Sequence, residues 1–196
     1  MLKNDMDEKE FNIISGKEEI SRRSFLKKAA SIAIGGLFLP SEILAKTDDI
    51  RKIHIFNIHT GKSINAVYYE NGAYISDAIY EIYEIMEDYR RHEIREIDNN
   101  LIDLLHSIQS YAGGLPIELL SGYRSPETNN ELRRHRRGVA KHSYHILGKA
   151  ADIRIPKVPL RILKRIAMHL QRGGVGYYPR SGFVHVDVGP VRHWRG

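Results

Sequence analysis

Two histidines and one aspartate in the C-terminal half form a pattern that could hold a metal ion. His145 and Asp152 belong to the segment Ser143-Tyr-His-Ile-Leu-Gly-Lys-Ala-Ala-Asp152, and His185 belongs to Phe183-Val-His-Val-Asp187. Zinc that performs chemistry usually takes three protein ligands and keeps its fourth position for water. Two imidazoles and one carboxylate supply that number of ligands in types that zinc accepts. The pattern therefore predicts a metal site suited to hydrolysis.

Two predicted strands would position these side chains. Alternate residues of a strand share one face, so in residues 184–188 the side chains of His185 and Asp187 point together while the valines face the core. In residues 150–155 the same alternation turns Asp152 away from the core. If the two strands are neighbours, the imidazole and the carboxylate meet at one ion. The alternative is that these are satisfied polar side chains on a solvent-facing surface.

The rest of the chain predicts one mixed α+β domain with a mainly antiparallel sheet flanked by helices. Short alternating segments bounded by turn residues indicate strands, and apolar residues at three- and four-residue spacing indicate helices. The predicted elements are a hairpin over 52–69, helices over 76–91 and 101–113, a strand at 116–120, a helical turn opening at 125–127, a strand at 150–155, a helix over 159–170 and a hairpin over 175–188.

The composition excludes several kinds of site. The 196 residues are 42% hydrophobic and 28% charged, as is ordinary for a globular protein. The chain has no cysteine, which excludes disulfides, thiolate zinc sites and cysteine nucleophiles. The charge is divided unevenly, because residues 46–120 carry 7 basic against 13 acidic side chains and residues 121–196 carry 16 against 4. A basic half that also holds the metal pattern favours an anionic substrate.

The N-terminus reads as an export signal. Residues 21–27, Ser-Arg-Arg-Ser-Phe-Leu-Lys, match the twin-arginine motif, and an apolar run from Ala29 to Leu39 follows. That run is shorter than the ~20 residues that span a bilayer, which indicates a signal peptide of residues 1–45 cut after Ala45. An amphipathic helix and an uncleaved, tethering leader are the alternatives. We therefore expect a mature domain over 46–196, located in the periplasm or cell envelope without stable membrane insertion after cleavage.

One basic run has a second interpretation. Leu132-Arg-Arg-His-Arg-Arg137 has the charge of a nucleic-acid patch. In an exported protein the same run would face anionic wall polymer as a solvated segment. We expect no nucleic-acid partner.

Several further motifs complete a resemblance to a known family. Together with Ser-x-His-x-x-Gly-x-Ala-x-Asp and the later strand histidine, they resemble the zinc peptidases that include D-alanyl-D-alanine carboxypeptidases, lysostaphin-type enzymes and Hedgehog amino-terminal domains. The resemblance covers nearly all of the mature chain and is strongest to the YcbK-like branch. The matching segments are His59-Thr-Gly61, Ser121-Gly-Tyr-Arg-Ser-Pro-Glu-Thr-Asn129, Gly138-Val-Ala-Lys-His-Ser143, Gly173-Gly-Val-Gly-Tyr-Tyr-Pro179 and Val188-Gly-Pro-Val-Arg192.

The resemblance implies an activity and a set of roles. It implies that His145, Asp152 and His185 bind Zn²⁺ and that Arg124 faces the substrate. A guanidinium there would steady an oxyanion or grip a peptide carboxylate. The implied activity is endopeptidase cleavage of the peptide stems of peptidoglycan. The alternatives are removal of a terminal D-alanine and a non-catalytic, zinc-containing module that binds the wall.

The sequence departs from the related peptidases at the general base. Those enzymes often place a Glu or His a few residues before the last ligand, where this chain has Ser181-Gly-Phe183. Asp187 is the carboxylate nearest in sequence, and it would serve either as the catalytic base or as the partner that orients His185. His142 is a third candidate for the base.

Overall fold

The computed structural model describes residues 49–135 and 139–196. The predicted export signal of residues 1–45 lies outside these ranges. Among the described residues, no helix combines the length and the apolar character needed to cross a bilayer.

An eight-stranded sheet forms the centre of the domain, in the order β3-β2-β1-β4-β5-β7-β6-β8. Only the pairs β1–β4 and β6–β8 are parallel, which confirms the predicted mainly antiparallel α+β domain. The strands are β1 (Arg51–Asn57), β2 (Ser63–Glu70), β3 (Ala73–Tyr74), β4 (Ile117–Ser121), β5 (Ala150–Arg154), β6 (Gly174–Tyr178), β7 (Phe183–Asp187) and β8 (Arg192–Arg195).

Within the described residues the chain also forms four α-helices: α1 (Ser76–Ile85), α2 (Asn99–Tyr111), α3 (Pro126–His135) and α4 (Leu160–Leu170). Asp98 caps α2 by accepting a hydrogen bond from the Asn100 N–H. Helix α4 packs against α2, β6 and β7. The apolar side chains of β7, Val184 and Val186, are 0% exposed in the same core cluster. Helix packing therefore covers the apolar face of β7 and leaves His185 and Asp187 on the other.

The first predicted helix is shorter than its pattern suggests. The prediction that it runs to residue 91 is wrong, because α1 ends at Ile85. The next residues bond to distant partners instead: the Met86 carbonyl accepts the Tyr123 N–H at 2.8 Å, and the Asp88 carboxylate accepts the Ser125 N–H at 2.9 Å. These tertiary hydrogen bonds compete with the helical ones and fix the end of β4 beside α1.

The last strand is absent from the sequence prediction. Residues Arg192–Arg195 form β8, which pairs in parallel with β6 at the sheet edge. The segment Arg-His-Trp-Arg has no apolar alternation, so its pattern indicates no strand. The strand nonetheless brings Arg192 and Trp194 to the face that carries His185.

Candidate active site

Three side chains converge at the centre of the sheet. Asp152 of β5 and His185 of β7 are directly paired in the antiparallel register. Asp152 Oδ1 lies 2.9 Å from His185 Nδ1 and 3.3 Å from His145 Nε2. The two imidazole nitrogens are 3.2 Å apart. All three residues are nearly buried, at 2%, 9% and 9% exposure for His145, Asp152 and His185.

This donor set fits a zinc ion. Zinc–nitrogen and zinc–oxygen bonds of about 2.0–2.1 Å in a tetrahedron place neighbouring ligand atoms roughly 3.3 Å apart. The observed separations of 2.9, 3.2 and 3.3 Å are close to that value. Three acceptor atoms that face one buried point favour a cation there. Within the described residues, this is the only cluster of at least three such side chains with metal-binding geometry.

A short 3₁₀ helix, Tyr144–Leu147, presents His145. The Ser143 hydroxyl accepts the His145 N–H at 3.3 Å and so caps this turn. On the ring, Nδ1 lies 2.7 Å from the Gly122 carbonyl oxygen. Because a carbonyl only accepts, Nδ1 carries the proton, and the lone pair of Nε2 faces the point between Asp152 Oδ1 and His185 Nδ1.

Gly148 ends this turn in the left-handed region, at φ +67°. A Cβ there would collide with the Glu96 carbonyl oxygen, whereas at Gly61 (φ +71°) nothing lies within 4 Å of a Cβ. Gly61→Ala is expected to cost about 1 kcal/mol through backbone strain alone. Gly148→Ala is expected to cost a further ~1–3 kcal/mol through overpacking. Urea unfolding of both variants checks this, and equal losses of stability would contradict it.

Asp187 lies behind His185 rather than in the open cleft. It is 0% exposed, and its Oδ2 accepts a hydrogen bond from His185 Nε2 at 3.0 Å. Arg192 donates to both oxygens at 3.0 and 2.8 Å, and the Gly189 N–H donates to Oδ1 at 2.9 Å. A carboxylate with this many donors and no exposure is placed to orient the ring of His185, which leaves Nδ1 to face Asp152.

The electrostatics of the cluster favour ionised carboxylates. Burial opposes ionisation of Asp152, yet the imidazoles of His145 and His185 hold the pKa of its carboxyl far below the usual value. Burial likewise opposes protonation of His185, but its hydrogen bonds to Asp152 and Asp187 raise its pKa to about 9. For His145, burial lowers the pKa. The pocket therefore stabilises positive charge between Asp152 and Asp187.

Arg124 follows the end of β4 and is 9% exposed. Its Nη2 lies 3.5 Å from Asp152 Oδ2, and its backbone N–H donates to the His145 carbonyl at 3.2 Å. The next residue, Ser125, donates its hydroxyl to Asp88 at 2.7 Å. Burial raises the pKa of Asp88, but hydrogen bonds from Thr128, Ser125 and the Arg90 N–H together outweigh it and leave that pKa below its usual value. The loop that carries Arg124 is therefore fixed at both ends.

Arg124 and the three clustered residues line a cleft of about 850 Å³. His142, which is exposed, also lines it, three residues before His145. One wall carries a stack that sequence reasoning did not find, in which the rings of His59 and Tyr89 are 4.1 Å apart and the Arg90 guanidinium lies 4.2 Å from the Tyr89 ring centre. Sequence reasoning overlooked the stack because Tyr89 fitted the apolar spacing of the first predicted helix and was assigned to its buried face.

Comparison with known proteins gives the family. The sequence model described as peptidoglycan L,D-endopeptidase MepK matches residues 45–194. This chain belongs to the MepK family. The protein named peptidoglycan L,D-endopeptidase MepK of Escherichia coli (strain K12) is 42% identical over 181 residues, covering 91% of this chain and 99% of that protein. The protein of Haemophilus influenzae named probable peptidoglycan L,D-endopeptidase MepK is 42% identical over 169 residues, covering 84% and 91% of the two chains.

No solved structure matches the chain at a significant level. Membership of the MepK family confirms the resemblance on which the sequence analysis relied. In this MepK-family chain the structure brings together five of the residues singled out beforehand: His145, Asp152 and His185 form the cluster, Arg124 contacts Asp152, and Asp187 contacts His185. His142, the third candidate for the base, lines the cleft. Sequence reasoning gave Arg192 no role, although the segment Val188-Gly-Pro-Val-Arg192 was among those that carry the resemblance.

Proposed function

We propose that this protein is a zinc-dependent murein endopeptidase that hydrolyses an L–D peptide bond in the cross-links of the cell wall. The observation that carries the proposal is the His145–Asp152–His185 cluster, which lies in a large cleft of a chain whose family is peptidoglycan-hydrolysing. Family membership makes the chain an enzyme of the metallopeptidase class. Zinc is the metal we assign, because two imidazoles and one carboxylate match its ligand preference.

When bound, zinc would supply Lewis acidity toward the scissile carbonyl and the attacking water. The chain's own groups would do the rest. Arg124, beside Asp152, would donate to the oxyanion that develops on the carbonyl. His142, exposed in the cleft, would accept the proton of the attacking water and return it to the leaving amine. Asp187 would keep the ring of His185 oriented and would not itself transfer a proton.

The layout of the cleft supports endopeptidase over carboxypeptidase action. The cluster lies on β5 and β7, in the middle of the strand order. The cleft is lined on one side by residues that follow β1 and β4, such as His59, and on the other by residues of β6 and β8, such as Tyr178 and Trp194. A substrate therefore finds protein surface on both sides of the bond to be cut, as an internal peptide bond requires.

We also propose a location for the enzyme. The twin-arginine motif at residues 21–27 and the apolar run after it support export by the twin-arginine route to the periplasm or cell envelope, with cleavage after Ala45. The peptidase domain would then be residues 46–196. Peptide stems of peptidoglycan would be its substrate, and the basic C-terminal half favours their carboxylates.

Arg124→Gln is expected to reduce kcat about 100-fold, because one donor to the developing oxyanion is lost. Arg124→Lys is expected to recover part of that loss, since it restores the charge without the two-pronged geometry. Zinc content, measured by mass spectrometry of the metal, should stay at one ion per chain in both variants. A loss of zinc equal to the loss of turnover would contradict the assigned role.

Purified muropeptides of known structure test the proposed function itself. The zinc-loaded protein is incubated with a cross-linked dimer and, separately, with a monomeric stem, and the products are identified by mass spectrometry. We expect the dimer to yield two monomers, with one water added per cut, and the monomer to stay intact. Release of a single terminal residue from either substrate would indicate a carboxypeptidase. An intact dimer after long incubation with folded, zinc-bound protein would favour a wall-binding module.

A further inference from the structure

We propose that the C-terminal strand β8 is a positioning element of the zinc site, in which Arg192 acts through Asp187 on His185. It rests on the proposed zinc site and adds a residue outside the three ligands. Arg192 is the first residue of β8. The strand that sequence reasoning overlooked would therefore influence the zinc affinity of the site.

The contacts of Arg192 form one continuous chain to the ligand. Its Nη1 and Nη2 donate to Asp187 Oδ1 and Oδ2 at 3.0 and 2.8 Å. Asp187 Oδ2 then accepts from His185 Nε2 at 3.0 Å. The opposite nitrogen of that ring, Nδ1, faces Asp152 at 2.9 Å. A two-pronged guanidinium fixes the plane of the carboxylate, and the carboxylate fixes the rotation of the ring.

The guanidinium is itself held in place. Nη1 also donates to the Pro190 carbonyl at 3.0 Å. The guanidinium carbon lies 5.2 Å from the ring centre of Tyr144 and 5.1 Å from that of Trp194. Tyr144 opens the 3₁₀ helix that presents His145. Arg192 therefore touches the supports of both histidines, and its cation–π contacts limit the freedom of its long side chain.

Two glycines of β6 leave the room that this arrangement needs. A Cβ at Gly174 would lie 2.5 Å from Asp187 Oδ2 and would collide with the guanidinium of Arg192. A Cβ at Gly176 would lie 2.7 Å from the ring of Trp194. That ring donates from Nε1 to the Tyr178 hydroxyl at 2.9 Å and lies 5.3 Å from the His185 ring. The two glycines of β6 thus leave space for Arg192 and Trp194 of β8 to pack beside Asp187 and His185.

The arrangement has a measurable consequence. Partners that orient a metal-binding histidine are worth about 10- to 100-fold in metal affinity or activity. Loss of Arg192 would leave the Asp187 carboxylate buried with fewer donors and free to rotate away from His185. We therefore expect zinc affinity and kcat to fall together. Arg192 also lines the cleft, but its guanidinium is engaged by Asp187, so KM should change little.

The test compares the full-length variants Arg192→Gln and Arg192→Lys with Arg161→Gln. Arg161 is an exposed arginine of α4, which packs on the core face of the sheet, so its replacement removes the same charge away from the site. Zinc affinity is measured by competition with a chromophoric chelator, and kcat and KM on a cross-linked muropeptide. We expect Arg192→Gln to lose about 10- to 100-fold in zinc affinity, Arg192→Lys to lose less, and Arg161→Gln to match the wild type.

Two results would overturn the proposal: zinc affinity of Arg192→Gln within twofold of the wild type, or an equal loss in Arg161→Gln. A rise in KM alone would make Arg192 a substrate contact and would also overturn it. If Arg192→Gln fails to fold, the decision passes to Arg192→Lys, where unchanged zinc affinity and kcat overturn the positioning role. Zinc affinity is measured without murein, so a protein that binds zinc tightly but cleaves nothing would refute the proposed function and leave this inference standing.

Discussion

The Asp152→Ala variant is expected to lose both zinc binding and murein hydrolysis. Asp152 supplies the carboxylate of the cluster. Its Oδ1 faces the two imidazoles, and its Oδ2 faces the Arg124 guanidinium. Removing a ligand should lower zinc affinity by more than the about 10- to 100-fold that outer partners contribute. The buried Arg124 would also lose an ionic partner, so we expect the metal-free fold to be less stable by about 3 kcal/mol.

Metal content by mass spectrometry, muropeptide hydrolysis and urea unfolding measure these three effects. Asp152→Asn keeps the shape and removes the charge, and Asp77→Ala removes an exposed carboxylate from the first turn of α1. We expect the first to behave like Asp152→Ala and the second like the wild type. Full zinc occupancy in Asp152→Ala would refute the ligand assignment.

The second large effect is expected at His142, where His142→Gln should reduce kcat by about 1000-fold with zinc affinity unchanged, as for the loss of a general base. Apart from the two ligand histidines, His142 and His59 are the imidazoles in the cleft lining. The His59 ring is stacked on Tyr89. His142 is exposed and precedes the 3₁₀ helix that carries His145.

Asp187→Asn tests a different role from that of His142→Gln, because the buried Asp187 carboxylate is expected to orient His185 and not to transfer a proton. This variant should lose about 10- to 100-fold in zinc affinity and should regain much of its turnover in excess zinc. Equilibrium zinc competition and steady-state kinetics at several zinc concentrations separate the two roles. If Asp187→Asn kept its zinc affinity but lost hydrolysis, Asp187 would be the base. If His142→Gln retained its kcat, His142 would have no part in proton transfer.

The sequence was sufficient to predict the strands that carry the cluster. Alternation in 150–155 and 184–188 put Asp152 and His185 on faces away from the core, and the structure pairs them directly in register. That success has a physical cause, since a register shift by one residue would expose Val184 and Val186, which are 0% exposed. The mainly antiparallel α+β domain followed from the same patterns.

The sequence could not predict features that depend on distant partners. Helical spacing continued through Tyr89, but the Met86 carbonyl and the Asp88 carboxylate bond to residues 123 and 125, which end α1 early. Strand β8 carries no apolar alternation, and it forms because it pairs with β6, a contact that the local sequence does not reveal. The surroundings of Asp187 were equally hidden: two roles were open until its burial and its bond to Arg192 were seen.

We expect one zinc ion, held by His145, Asp152 and His185, to be required for cleavage of murein cross-links. The most direct test of this requirement titrates zinc into the metal-free protein and follows the digestion of purified sacculi, with fragments resolved by chromatography and mass spectrometry. We expect the conversion of cross-linked dimers to monomers to rise with zinc and to reach a plateau at one ion per chain. Equal cleavage by the metal-free protein, or no cleavage at full zinc occupancy, would contradict it.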